Sequence, residues 1–332
     1  MKNEKLAKNK IDIEKLNFDA IENLPNLILE GENYFNNQIA EICKKVCQNE
    51  SIKIILLAGP SAAGKTTTSN LLALHFGMLS KRVVTVSLDN FFVDRDNTPR
   101  LVDGSYDFEC LNALDLKCLN EFIDDLLIRK VAHMPIYNFR TGKREKKKEK
   151  IVVDENTIII FEGLHALNPK LITNGDYNFL KLYIALNSDF VLNNKVKLSA
   201  RNVRLLRRIT RDYYTRGYDV LNTIRMWDNV LDGENKYIKP FKQNADFIIN
   251  SLHCYEPLLY ANYSKKVIQQ ALNNSQEKTD EEIKLLKSLL DTLSLFEPID
   301  KKLVPSTSLL WEFLNAAEWC FKSIFKIIFK KV

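Results

Sequence analysis

Short apolar runs recur along this chain, each closed by a turn or a polar residue. They are Ile52–Ala58, Arg82–Leu88, Thr157–Phe161, Leu180–Leu186 and Asp246–Asn250. Runs of that length predict strands buried on both faces. Helical stretches stand between them. Asn36–Gln48 repeats Ile39, Ile42, Cys43 and Val46 at helical spacing, Leu114–Leu127 is amphipathic, and Arg201–Tyr214 is a basic helix. Strands alternating with helices predict a doubly wound parallel sheet in an α/β fold. Met134–Phe139 and Lys150–Val153 flank Thr141-Gly142-Lys143, which predicts an inserted β-hairpin with a polar tip. Residues 90–110, rich in Asp, Asn, Gly and Pro, predict a functional loop. Residues 1–20 are polar and predict a frayed or loosely docked arm. From Glu256 onward the pattern is helical, over Ser264–Leu272, Glu281–Leu295 and Ser306–Lys331. The expected organisation is an arm and helix over 1–50, an α/β domain over 51–256 and a helical extension over 257–332.

The first apolar run leads directly into Gly59-Pro60-Ser61-Ala62-Ala63-Gly64-Lys65-Thr66-Thr67, the full G-x-x-x-x-G-K-[ST] pattern of a P-loop. Its parts have separate physical jobs. The glycines let backbone N–H groups face phosphate oxygens, Lys65 reaches the β- and γ-phosphates, and the Thr66 hydroxyl can ligate Mg²⁺. The helix that follows points its N-terminus at the anion. The sheet is therefore expected to be of the P-loop NTPase type, with a nucleotide phosphate and Mg²⁺ at the loop.

Composition narrows the picture little. Apolar residues at 45% and charged residues at 27% are the proportions of a soluble globular chain. The formal charge of +6 suits an anionic substrate but is too small to argue for nucleic acid. Six cysteines without a paired framework are expected to be reduced thiols in a cytoplasmic protein. Cys43 and Cys47 read as a buried stripe rather than a metal clamp, and no Cys/His cluster completes a zinc site. The N-terminus lacks the apolar segment of a secretory signal.

In open α/β sheets, functional side chains gather at the carboxyl ends of strands. Three predicted strands end in the P-loop, in Asp89 and in Glu162. Phosphoryl transfer needs a metal among the phosphates, a base for the acceptor hydroxyl and cations for the migrating charge. Glu162 is expected near the metal with Thr66, and Asp89 as the base; a helix cap is the plain alternative for either carboxylate. Arg204, Arg208 and Arg211 fall at i, i+4 and i+7, with Arg207 bordering that face and Arg216 beyond it. Arg208 and Arg211 are expected to act in catalysis and Arg204, Arg207 and Arg216 to hold nucleotide. A solvated basic face is the alternative. The run Arg140, Lys143, Arg144, Lys146–Lys148 and Lys150 reads as a solvated hairpin tip, and His165 as a structural loop residue.

The motifs GPSAAGKTT, SLDNFFVDR, DGSYDFE, MPIYNFRTGKR, FEGLHALNP, RLLRRITRDYYTRGY and GENKYIKPF occur in that order. Together they resemble the uridine kinase/phosphoribulokinase family of P-loop kinases, in particular its bacterial uridine kinase-like nucleoside kinases. The resemblance runs from about Glu30 to VPSTSLLWEFL, near Leu314. It implies ATP-dependent phosphorylation of a hydroxyl, in uridine kinases the ribose 5′-hydroxyl of a pyrimidine nucleoside. By the same resemblance Asp89 is the catalytic base, Asp107 grips the ribose hydroxyls, Tyr137 lies beside the base, Glu162 is metal-associated and the arginines form a lid over the phosphates. The chain departs from the pattern where uridine–cytidine kinases carry YDF and then a base-reading His. Here Tyr137-Asn138-Phe139 is followed by Gly142 at the matching position, leaving Asn138 or Arg140 as substitute donors.

The expected function is an ATP-dependent uridine/cytidine kinase. A kinase of another small alcohol and a non-catalytic ATP-binding regulator are the alternatives, and no N-K-x-D segment supports a GTPase. Leu309–Lys331 is amphipathic, with four charges between Glu312 and Lys326 that argue against a membrane span. It is expected to dock on the core or a second subunit, or to lie on a membrane surface. No nucleic-acid partner is expected.

Overall fold

The computed structural model describes residues 9–49, 51–172 and 178–314. The chain starts with β1 (Asn9–Asp12), then α1 (Ile13–Gln48), β2 (Ile54–Ala58), α2 (Lys65–Met78) and β3 (Arg82–Ser87). A single 3-10 turn, Leu88–Phe91, follows β3. Next come α3 (Leu116–Ile128), β4 (Val131–Met134), β5 (Tyr137–Asn138), β6 (Lys143–Arg144), β7 (Glu149–Val152) and β8 (Thr157–Glu162). β9 (Phe179–Ala185), β10 (Ser188–Leu192) and β11 (Lys195–Leu198) lead to α4 (Ala200–Arg211), α5 (Val220–Arg225) and α6 (Trp227–Gly233). The described chain closes with β12 (Phe247–Asn250), α7 (Glu256–Asn273), α8 (Asp280–Leu293) and α9 (Trp311–Leu314).

The predicted runs form one parallel sheet in the order β12-β9-β2-β8-β3. β2 and β8 are buried at every position because neighbours flank them and helices cover both faces. Alternate β2 residues divide between two cores. Ile55 and Leu57 pack with α1, α2, α4, α7 and α8, whereas Ile54, Leu56 and Ala58 pack with α3 and the hairpin. This alternation follows from the two-residue period of a strand.

The hairpin is nested: β4 pairs with β7, and within it β5 pairs with β6. Its tip is largely solvated, but Gly142 is buried and Arg144 turns inward to the Phe91 and Phe92 carbonyls and to Asp115.

The N-terminal stretch differs from the expected loose arm. β1 pairs in parallel with β10, and Ile13 and Leu16 are buried in the core. A strand of four mostly polar residues is too short to show an apolar run, so pairing carries it rather than pattern. Its neighbour β10, and β11 beyond it, were likewise not predicted. The hairpin joining them turns on Asn193 and Asn194, both with positive φ, as a two-residue turn between twisted strands requires.

The helical C-terminal region shares the first core with the sheet. Leu309, Leu310, Phe313 and Leu314 are fully buried there. The rest of the amphipathic segment, 315–332, lies outside the described residues. Among the described residues no helix is long and apolar enough to cross a membrane.

Candidate active site

Three adjacent strands deliver the first functional groups. β2 runs into the P-loop, β3 into the turn bearing Asp89, and β8 ends at Glu162, which is in register with Leu57 and Ser87. Gly59 lies so close to β9 that a Cβ would stand 2.3 Å from the Ile184 carbonyl oxygen. No other residue fits there. Gly64 closes the loop with φ at +93°, and it caps α2 without a side chain. The first N–H groups of α2 are therefore not satisfied by a cap of their own, which is how a helix start receives an anion.

The Thr66 hydroxyl donates to Glu162 at 3.4 Å. A hydroxyl and a carboxylate facing each other beside a phosphate cradle are the hard oxygen donors that Mg²⁺ takes. Lys65 donates to the Pro60 carbonyl at 3.2 Å. Burial lowers its pKa, while Glu162, Asp89, Glu312 and Glu109 pull it back up. Burial raises Asp89, with Lys65, Arg216 and Arg211 opposing. Burial also pushes Glu162 up to about 7, with the neighbouring Asp89 adding to the rise. Asp89 is thus a carboxylate with increased proton affinity beside a lysine, which is what a base for a hydroxyl requires.

The sequence pattern of the Phosphoribulokinase / Uridine kinase family matches residues 54–256, well over half of the chain. The chain belongs to that family. It is an ATP-dependent phosphotransferase with an alcohol group as acceptor. A uridine kinase of Saccharomyces cerevisiae is 29% identical over 279 residues, which are 81% of this chain and 52% of that enzyme. This chain thus spans about half the length of that relative. A uridine kinase of Halobacterium salinarum is 28% identical over 58% of this chain and 77% of its own. A solved structure described as a possible uridine kinase from Bacillus stearothermophilus aligns with a TM-score of 0.45 and 16% identity, over 64% of this chain and 98% of that one.

Within this kinase the five arginines divide into two sets. Arg204 donates to the Ser61 carbonyl, pairs with Glu234 at 2.7 Å and stacks on Trp227. Arg207 is wholly buried, doubly bonded to Glu256, and donates to the Ala62 and Ser251 carbonyls. Arg204 and Arg207, expected to hold nucleotide, thus both reach the P-loop main chain and a buried carboxylate. They brace the P-loop main chain, because their guanidinium groups are already committed to buried carboxylates. Arg208, Arg211 and Arg216 gather on Asp212 instead, and Arg208 also donates to the Ser61 hydroxyl. Their fields reach Asp89 and Glu109. Helical spacing placed Arg204 and Arg208 on one face but could not show which carboxylates lay opposite.

On the acceptor side, Asp107 accepts from the Tyr237 hydroxyl at 2.9 Å and from the Glu109 N–H. Tyr137 is buried among Phe92 and Phe139. Arg140 stands exposed at the hairpin tip, and its own main-chain N–H turns back to Asn138. Gly142 has φ at +70°, and a Cβ there would meet Arg95 at under 3 Å. Arg95 donates to the Phe139 carbonyl.

Sequence reasoning gave no role to Glu109 or Glu312 and read His165 as structural. Glu109 lies beside Arg208 and Lys65, and burial pushes its carboxyl up to about 7. Its Oε2 is buried without a hydrogen-bond partner. His165 is buried and driven down to about 4, hence neutral. Its ring nitrogens lie near the Glu109 and Cys110 main chain without completing a hydrogen bond. Glu312 contacts the P-loop helix. The DGSYDFE motif offered Glu109 in plain view; nothing in periodicity marked Glu312.

Proposed function

We propose that this chain is a Mg²⁺- and ATP-dependent nucleoside kinase that phosphorylates the ribose 5′-hydroxyl of uridine or cytidine. The observation that carries this reading is the meeting of the P-loop, Asp89 and Glu162 at three neighbouring strand ends, with Glu109 feeling the charges of both Asp89 and Asp107. In this reading Asp107 accepts hydrogen bonds from ribose hydroxyls and orients the 5′-hydroxyl toward Asp89. Asp89 takes the hydroxyl proton as the oxygen bonds to the γ-phosphorus and the bond to the β–γ bridging oxygen breaks. ADP and the phosphorylated acceptor result. Lys65, Arg208, Arg211 and Arg216 balance the charge that moves onto the leaving phosphate. Mg²⁺ when bound neutralises phosphate oxygens, and the Thr66 hydroxyl and Glu162 carboxylate are the groups that would hold it. A cytoplasmic address and a kinase domain over 51–256 go with this reading.

A second reading, a kinase of another small alcohol, has its own support. Position 142 has no room for a side chain that could read a base, and the unpartnered Glu109 and His165 suit a hydroxyl-rich acceptor. Transfer of labelled phosphate from ATP across nucleosides and sugar alcohols separates the two. The nucleoside reading expects kcat/KM to be highest for uridine or cytidine. Background transfer to every nucleoside, with turnover of a polyol or sugar, would replace it with the second. ATP binding without any transfer would leave a regulator.

A further inference from the structure

Thr67 is the third residue of α2, and its N–H is among those that the helix start leaves without an intrahelical partner. In a P-loop such donors face phosphate. Here the donor is occupied. Glu312 Oε2 accepts the Thr67 N–H at 3.3 Å and the Thr67 hydroxyl at 2.6 Å. Lys65 and Glu162 both sense the same carboxylate.

The segment that carries Glu312 is held against the loop at further points. Leu309 lies so close to Gly64 that a Cβ there would stand 2.7 Å from its Cδ1. Phe313 packs under the Arg207 guanidinium, 4.6 Å from its ring centre, and Arg207 in turn holds the Ala62 carbonyl. Leu310 and Leu314 are buried beside them. The acidic side chain is therefore fixed to the phosphate cradle by its neighbours rather than resting there by chance.

We propose that Glu312 is an internal competitor for the nucleotide: its carboxylate holds a phosphate-binding position at Thr67, and a nucleotide phosphate must displace it to bind. One N–H cannot serve a carboxylate oxygen and a phosphate oxygen together, and two anions in that space repel. Apparent affinity for ATP is then the intrinsic affinity reduced by the fraction of molecules with Glu312 withdrawn. The inference rests on the P-loop as the ATP site and adds a residue that sets affinity there.

The test uses the full chain with Glu312→Gln and Glu312→Ala. ATP affinity is measured by calorimetry, with KM for ATP and for the acceptor alongside. Both variants should bind ATP about tenfold more tightly, as for a site that is closed about nine-tenths of the time. Inorganic tripolyphosphate should gain by the same factor, because the competition concerns phosphate and not adenine. The acceptor KM should not move. Unchanged or weaker ATP binding in folded variants would make Glu312 a brace of the loop and overturn the proposal. The unaltered protein supplies a second measurement. Amide exchange across residues 305–314 should speed up on adding ATP, and slower exchange would overturn the proposal without any substitution. Failure of every form to bind ATP would remove the nucleotide-site reading and this inference with it.

Discussion

The two halves of the active site are built on opposite principles. On the phosphate side every buried arginine has a carboxylate: Arg204 has Glu234, Arg207 has Glu256, and Arg208 and Arg211 share Asp212. On the acceptor side polar groups are left waiting, namely Glu109 Oε2 and both His165 nitrogens. Buried polar atoms without partners are costly, so the acceptor half is expected to gain most from its ligand. The arginines of the phosphate half are set in place by their carboxylates before any ligand arrives. In the proposed reading the acceptor half is completed by one.

The largest test of this contrast is at the shared boundary. Asp89→Asn should lower kcat by ~10²–10⁴, the size of a general-base contribution, while ATP affinity stays unchanged. Full phosphotransfer by the variant at saturating substrates would take the base away from Asp89.

Next come two neighbours on α4 that should behave in opposite ways. Arg207→Met strands Glu256 in the core and should cost about 3–5 kcal/mol of stability in chemical denaturation. Arg208→Met leaves Asp212 with Arg211 and Arg216, so stability should fall far less. Its kcat should drop ~10²–10³-fold through lost stabilisation of transferring charge. If Arg208→Met unfolds the chain and Arg207→Met only slows turnover, the division of the arginines is reversed.

A pH series sharpens the acceptor side. Glu109 ionises near 4.5 when unfolded and at about 7 in the folded chain. Its folded pKa is raised, so the folded state holds the proton more tightly. Stability attributable to this group is therefore full below about 4.5, falls as pH rises toward 7, and stays reduced above it. Glu109→Gln should be more stable than the parent by up to about 3 kcal/mol at pH 8, with the gain shrinking by pH 5. A gain of equal size at both pH values would point to packing instead of charge.

The smallest effect should come from Arg140→Ala, which is expected to leave the acceptor KM within about twofold, as for most exposed surface changes. A clear rise in KM would bring the hairpin tip back into the acceptor site.

What the sequence revealed follows a physical line. The apolar runs predicted every strand of the five-stranded sheet, because strands buried on both faces cannot hide their composition. The P-loop was legible because Gly59 and Gly64 are required by a close approach and a positive φ, both local constraints. The partners of the arginines were not, since Glu234 and Glu256 come from elements far along the chain. Glu312 lies 245 residues from Thr67, and no spacing rule spans that distance. β1 escaped notice for the same reason, being defined by its partner.

That last pairing also bears on how the chain acquires its shape. Lys10 lies opposite Asp189 in the small sheet, and the Asn17 side chain bonds to the Leu295 carbonyl and the Glu297 N–H. Segments far apart along the chain therefore meet here, β1 with β10 and Asn17 with residues 295 and 297. Closing loops of this length is slow, and it exposes an unpaired edge meanwhile. During synthesis the N-terminal helix should stay undocked while the central strands assemble. The contacts of Asn17 with residues 295 and 297, which close a long stretch of chain, are expected to form late in folding.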